Sequence, residues 1–228
     1  MNRSVALINP ALLVQRDDPM TTGIVYMPFG LAYIAAVLRQ ASISIKVIDG
    51  FGESPYQAKQ KGKFLNLGLE PEEIVARIPE DAGVVIIYAI NLTNHNASAA
   101  IIQAIRAINS EIKIVVLENT QAVTSYALEA VAGEFYELGV DYILTGESER
   151  RVVELVMLLL SSPVDYEQIK SLAGVGSPEF YNPPTEPSKD LDSLPFPAWD
   201  LFPIENYWKL HFAHGPQTSN KYLPLLTS

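Results

Sequence analysis

The sequence predicts an α/β fold built on a five-stranded parallel sheet with helices on both faces. Short runs rich in Val and Ile alternate with longer segments of helical periodicity, which is the pattern of repeated β/α units. The 228 residues are 48% hydrophobic and 18% charged. This composition supplies enough apolar material for an ordinary globular core.

Five apolar runs have the length and composition of buried strands. Each ends in polar residues, Gly or Asn, where a strand gives way to a loop. Because the runs are largely apolar rather than alternating, we expect helices to cover both faces of the sheet. The predicted strands are residues 5–8, 44–48, 83–88, 113–117 and 141–144.

The helices are predicted from apolar spacing and from helix-start signals. Residues 30–40 carry one apolar stripe at positions i, i+3, i+4 and i+7. Pro71 suits the first position of another helix, and Glu72 and Glu73 follow where the helix dipole favours carboxylates. Further helices are predicted over residues 97–108, 123–138 and 148–160.

Five β/α units joined by right-handed crossovers predict the flavodoxin-like, or Rossmann-like, strand order 2-1-3-4-5. In that order the switch point lies between the first and third strands, and ligands bind over their carboxyl ends. The loops at this edge are therefore the candidate site. They are residues 9–28, 90–96, 118–123 and 145–149.

The chain is expected to hold one domain followed by a linker. The domain is residues 1–162, and residues 163–228 are interpreted as the linker. A C-terminal hairpin is predicted over residues 169–181, followed by a proline-rich extended tail. Aromatic residues among the prolines, such as Trp199 and Tyr207, indicate that the tail packs on another surface.

Charge and hydropathy argue against several partners. The formal net charge of −10 repels nucleic-acid phosphates and anionic lipid. The longest apolar stretch, residues 152–160, contains Glu154 and is far shorter than a membrane span. The N-terminus is too weakly apolar for a secretion signal. We therefore expect a cytoplasmic protein with no nucleic-acid or membrane partner.

Several chemical motifs are missing from the sequence. The chain has no cysteine, which excludes disulfides, thiolate metal sites and a thiol nucleophile. No G-x-G-x-x-G follows the first strand, so a nicotinamide or flavin dinucleotide is unsupported. The phosphate loop and the G-x-S-x-G elbow are also missing. We expect no catalytic or metal-binding residue within this chain.

Three polar loops at the predicted edge offer ligand-binding residues, and each has a structural alternative. After the fifth strand, Gly146 permits a tight turn, and the acidic residues beside it suit the start of a helix. The Asn-rich loop after the third strand also suits helix capping. The loop after the fourth strand is a candidate chiefly by location. The candidates are Asn91, Leu92, Thr93, Glu118, Asn119, Thr120, Gly146, Glu147 and Glu149.

Two longer motifs are specific enough to suggest a family. Residues 139–149, GVDYILTGESE, are close to the pattern G-x-D-Y-x-x-x-G-E-x-E, and residues 192–202 read DSLPFPAWDLF. The opening strand VALINP, the helix at residues 28–39 and the second strand fit the same comparison. Together these segments resemble the N-terminal half of cobalamin-dependent radical SAM enzymes. The resemblance spans nearly the whole chain.

This resemblance implies a cobalamin-binding domain, with Asn9, Pro10 and Pro28 added to the loop residues as cofactor contacts. In the family, a segment like residues 222–228 precedes cysteines that hold a 4Fe–4S cluster, which cleaves S-adenosylmethionine. The chain would then be a fragment, inactive alone, whose partner is a radical SAM barrel of the same polypeptide. The whole enzyme would act on a small-molecule substrate by methyl transfer, rearrangement or cyclisation.

Two departures from the family pattern favour another interpretation. Residues 90–92, Ile-Asn-Leu, stand where the family often has Ser-x-Leu, and Glu118 and Asn119 stand where it often has two glycines. Glycines there let the nucleotide tail of cobalamin approach the backbone, and larger side chains would crowd that slot. The alternative is a degenerate Rossmann-like docking domain that has lost cobalamin binding.

Overall fold

A computed structural model describes residues 3–15, 25–89, 94–119, 127–186, 190–211 and 219–224. The strands are β1 (Ser4–Asn9), β2 (Leu12–Gln15), β3 (Ile45–Asp49), β4 (Ala58–Lys61), β5 (Phe64–Leu67), β6 (Ala82–Ala89), β7 (Lys113–Glu118), β8 (Tyr142–Leu144) and β9 (Val175–Gly176). The helices are α1 (Phe29–Gln40), α2 (Pro71–Val75), α3 (His95–Ile108), α4 (Leu128–Glu137), α5 (Arg151–Leu160), α6 (Tyr166–Ser171) and α7 (Ile204–Lys209).

The central sheet is mostly parallel and, within the described residues, has six strands in the order β3-β1-β6-β7-β8-β9. Neighbouring strands from β3 to β8 run parallel, and β9 pairs antiparallel with β8. The α/β class is therefore confirmed. The prediction of five strands is wrong, and the complete order differs because β9 extends the edge. At two residues, β9 is too short to leave a periodic signal.

A second, three-stranded antiparallel sheet in the order β2-β5-β4 was not predicted. Its strand β4 reads Ala-Lys-Gln-Lys and is exposed throughout, so it carries no alternation of apolar and polar residues. A two-residue turn joins β4 to β5, and Gly62 adopts a φ of 60° there. The left-handed conformation suits glycine, which has no Cβ.

Helices cover both faces of the central sheet. One core cluster joins the odd-numbered residues of β1 to residues of α1 and α5, and the other joins its even-numbered residues to residues of α2, α3 and α4. Central strands buried on both faces need apolar side chains at successive positions. This explains the apolar runs in the sequence. None of the helices formed by the described residues has the length and apolarity needed to cross a membrane.

The region after α5 differs from the predicted hairpin and extended tail. Ile169 lies in α6, and the pairing that follows is a bridge between Gly176 and Tyr181. The proline-rich tail folds back onto the domain: the Ala198 backbone N–H donates to the Ala32 carbonyl at 3.0 Å. A short 3-10 helix, Trp199–Leu201, and α7 form there. The division at residue 162 remains a prediction.

Candidate functional site

The carboxyl ends of the parallel strands bring together polar residues from β1, β3 and β7. Asn9, Asp49 and Glu118 are the last residues of these three strands. Parallel strands end at a common edge, so loops distant in the sequence become neighbours there. Four predicted site residues lie outside the described residues, and no geometry is assigned to them. They are Asn91, Leu92, Thr93 and Thr120.

A buried polar cluster joins the ends of β1 and β3 to helix α7. The Asn9 amide Nδ2 donates to Asp49 Oδ1 at 2.7 Å, and the Tyr207 hydroxyl lies 2.8 Å from Asp49 Oδ2. The backbone N–H of Gly52 also donates to Asp49 Oδ1, at 2.8 Å. All three side chains are at most 2% exposed. Neither Asp49 nor Tyr207 was among the predicted site residues, because nothing in the sequence links positions 158 residues apart.

Burial dominates the acid–base properties of this cluster. Burial raises the pKa of Asp49 from 3.8 to about 6, and the hydrogen bonds from Gly52, Asn9 and Tyr207 oppose the rise. Burial also raises the pKa of the Tyr207 hydroxyl, and the neighbouring Asp49 carboxylate adds to the effect. The tyrosine therefore remains a neutral hydrogen-bond donor to Asp49 throughout the physiological range.

The predicted residues of the first loop are covered by the protein itself. Asn9 is buried beneath Tyr207, and its Oδ1 atom has no hydrogen-bond partner among the described residues. Pro10 and Pro28 are also buried, and the Pro28 carbonyl accepts the first hydrogen bond of α1, from Ala32. In the described structure these three residues connect the sheet to α1 and to the tail.

Glu118 forms a bridge between two loops at the end of β7. Its Oε1 accepts a hydrogen bond from the backbone N–H of Leu128, the first residue of α4, at 3.0 Å. Its Oε2 accepts one from the backbone N–H of Gly146 at 2.7 Å. Gly146 has a φ of 70°, and a Cβ there would lie 2.6 Å from Pro184 Cβ. We call the space between the ends of β7 and β8, which the Glu118 side chain spans to reach Gly146, the β7–β8 slot.

Asn119 is buried and pairs with a tyrosine of β6. The Tyr88 hydroxyl donates to Asn119 Oδ1 at 2.7 Å. Burial raises the pKa of Tyr88 far above its usual value, so this hydroxyl keeps its proton. The Asn119 side chain therefore faces the interior of the sheet edge and is held there.

The loop after β8 is held from beneath by Arg151. Its guanidinium donates to the carbonyls of Ala173, at 2.9 Å, and Thr145, at 3.0 Å, and also to that of Glu147. The Glu147 residue is exposed, whereas Glu149 is partly buried, and burial raises the pKa of Glu149. Helix α5 begins at Arg151, so Glu147 and Glu149 precede it and lie outside its first turn.

A small crevice lies between α1 and the ends of β6, β7 and β8. It encloses about 10 Å³, which is roughly the space of one water molecule. Pockets for drug-sized ligands usually enclose roughly 300–1,000 Å³. Among the described residues, no three His, Cys, Asp or Glu side chains are grouped so that they could hold a metal ion. The crevice is lined by Gly30, Ile34, Tyr88, Leu117, Glu118, Gly146, Ser148 and Glu149.

The fold and this edge define an α/β domain whose polar crevice lies at the carboxyl ends of a parallel sheet. The chain is similar to cytidylyl-2-hydroxyethylphosphonate methyltransferase from Streptomyces wedmorensis, with 25% identity over 248 residues. The match covers 95% of this chain but 43% of that protein, so the chain spans less than half the length of this relative. No protein-family model and no solved structure matches.

Proposed function

We propose that this chain is the N-terminal domain of a methyltransferase of the cobalamin-dependent radical SAM class. The observation that carries the proposal is the similarity to a methyltransferase, which extends over 95% of the chain. The motifs at residues 139–149 and 192–202 point to the same class. Methyl transfer is accordingly favoured over rearrangement or cyclisation.

The catalytic groups of such an enzyme are proposed to lie outside this chain. A 4Fe–4S cluster of this class is held by cysteine thiolates, and the chain has no cysteine. The cluster, S-adenosylmethionine and the small-molecule substrate would therefore be bound by a barrel of the same polypeptide. The role proposed for this domain is to present the carboxyl-end edge of its sheet to that barrel.

The corrin ring and the nucleotide tail of cobalamin fit this edge differently. The nucleotide tail does not fit the β7–β8 slot, because the Glu118 carboxylate fills it and is bound to the N–H groups of Leu128 and Gly146. The proposal of corrinoid binding therefore concerns the corrin ring alone. The ring would lie over the crevice beside Gly30 and Glu149.

A second candidate function is favoured by the way the protein's own side chains cover this edge. A domain that fills its own slot with Glu118 and covers Asn9 with Tyr207 has the features of a docking module without a cofactor. Such a module would keep the sheet and the tail as a rigid surface for the barrel. This candidate requires no corrinoid.

Corrinoid retention separates the two candidates. The purified chain is mixed with hydroxocobalamin, passed through a desalting column, and its visible spectrum is recorded. Retained corrinoid absorption at a stoichiometry near one supports the cofactor domain. A colourless protein at every concentration tested would reject cobalamin binding and favour the docking module.

A further inference from the structure

Glu118 differs from an ordinary surface glutamate because both of its carboxylate oxygens are hydrogen-bonded within the protein. Both oxygens accept hydrogen bonds from backbone N–H groups, and the two donors belong to different elements. Charge-assisted hydrogen bonds of this kind are among the stronger ones in proteins. If Glu118 swung away, the N–H of Gly146 and the start of α4 would each lose an acceptor. The closed slot is therefore the stable arrangement.

Among the described residues, the neighbours of Glu118 are also held in place. On the far side of the slot, Gly146 already packs close to Pro184 and to the Arg151 guanidinium. Asn119, the next residue along the chain, is bound to the Tyr88 hydroxyl at 2.7 Å. Glu118 cannot move away without breaking two part-buried hydrogen bonds, and Asn119 cannot do so without breaking a buried one.

We propose that Glu118 is a specificity residue that bars the nucleotide tail of cobalamin from the β7–β8 slot. This inference rests on the proposed function, because it concerns which corrinoid the domain accepts. A corrinoid that lacks the nucleotide, such as cobinamide, loses nothing by this exclusion. The wild-type chain therefore binds cobinamide at least as tightly as cobalamin.

The test is a pair of titrations with hydroxocobalamin and diaquacobinamide, followed by visible absorption. For the wild-type chain we expect dissociation constants that agree within roughly threefold. Glu118→Ala empties the slot and is expected to tighten cobalamin binding by about tenfold while leaving cobinamide unchanged. Glu118→Gln keeps the volume but can accept only one of the two N–H groups, because its amide nitrogen is a donor, so we expect a gain in cobalamin binding smaller than that of Glu118→Ala. Glu137→Ala, which removes an exposed glutamate at the end of α4, is the matched control.

Each outcome supports or overturns the inference. A wild-type chain that prefers cobalamin to cobinamide by about tenfold would overturn it, because the tail would then be contributing to binding. If the wild-type chain binds neither compound, corrinoid binding by the natural chain is rejected. The inference then depends on Glu118→Ala, where a gain of cobalamin binding supports it and no gain overturns it. Glu118→Ser provides a second slot-emptying variant should the alanine variant fail to fold.

Discussion

At the residue scale, the buried cluster of Asn9, Asp49 and Tyr207 makes the stability of the domain depend on pH. Burial raises the pKa of Asp49 from 3.8 to about 6 in the folded chain. Between these values the folded chain binds more protons than the unfolded chain, so the free energy of unfolding falls as pH rises. The stabilisation is complete below the unfolded pKa and is lost as pH passes the folded pKa.

Replacing Asp49 by Asn should remove this pH dependence. The wild-type free energy of unfolding should fall by up to about 3 kcal/mol, relative to Asp49→Asn, as pH rises from about 4 to about 7. Urea unfolding at a series of pH values measures the difference. Tyr207→Phe removes a hydrogen bond that favours the ionised carboxylate, so the loss should extend to higher pH. Parallel pH profiles for wild type and Asp49→Asn would contradict this explanation.

At the element scale, β9 and the loop after β8 are held together by one arginine and one glycine. Gly174 has a φ of 76°, and its carbonyl accepts hydrogen bonds from the backbone N–H and the hydroxyl of Thr145. A Cβ at Gly174 would overlap the Arg151 guanidinium and lie 2.7 Å from the Thr145 carbonyl oxygen. The position therefore requires glycine both for its conformation and for space.

The substitution Gly174→Ala should destabilise the domain by roughly 2 kcal/mol or more, since strain and overlap add. Gly133→Ala is the matched control, because Gly133 lies within α4 and a Cβ there meets no atom of the described residues within 4 Å. That change should stabilise the domain by about 0.5–1 kcal/mol through helix propensity. Chemical denaturation measures both values. Equal effects of the two substitutions would show that the space around Gly174 has been misassigned.

The elements differ in how far the sequence predicts them. Strands such as β6 and β7 are buried on both faces, so their apolar runs mark them directly. The helix predicted to begin at Pro71 does begin there. Strand β4 escapes prediction because it is fully exposed, and β9 because it is short. Their positions are set by partners distant in the sequence rather than by a local pattern.

The candidate site, like the elements, can be predicted only in part from the local sequence. Its location at the carboxyl ends of the strands follows from the β/α pattern, and the family comparison alone predicts that Glu118 crowds a nucleotide tail. Its role as a bridge could not be predicted, because its partners Leu128 and Gly146 lie 10 and 28 residues further along the chain. Asp49 was missed because the fold, and not the local sequence, brings Tyr207 to it.

At the scale of the whole molecule, the tail is packed as part of the domain. Phe202 is buried in the same core as α1 and α5, and Asp200 pairs with Arg39 of α1 at 2.7 Å. The exposed ion pair contributes little to stability, whereas the buried aromatic ring contributes substantially. The neighbouring Phe196 remains 94% exposed. Phe202, like Tyr207, thus helps to fix the tail, whereas Phe196 stays available at the surface.

Two phenylalanine substitutions test the contrast between buried Phe202 and exposed Phe196. Phe202→Ala should lower the free energy of unfolding by roughly 3 kcal/mol and make the tail more sensitive to limited proteolysis. Phe196→Ala removes the same side chain from an exposed position and should change stability by less than about 0.5 kcal/mol. Thermal or urea unfolding gives both values. Similar losses for the two variants would show that the tail does not pack through Phe202.

The most direct test of the proposed function is the intact mass and iron content of the natural protein. A protein containing this sequence would be purified without oxygen from its own cells and analysed by mass spectrometry and iron determination. We predict a polypeptide far larger than 25.1 kDa, the mass of these 228 residues, with bound iron. An iron-free polypeptide of 25.1 kDa would contradict the assignment to a radical SAM methyltransferase.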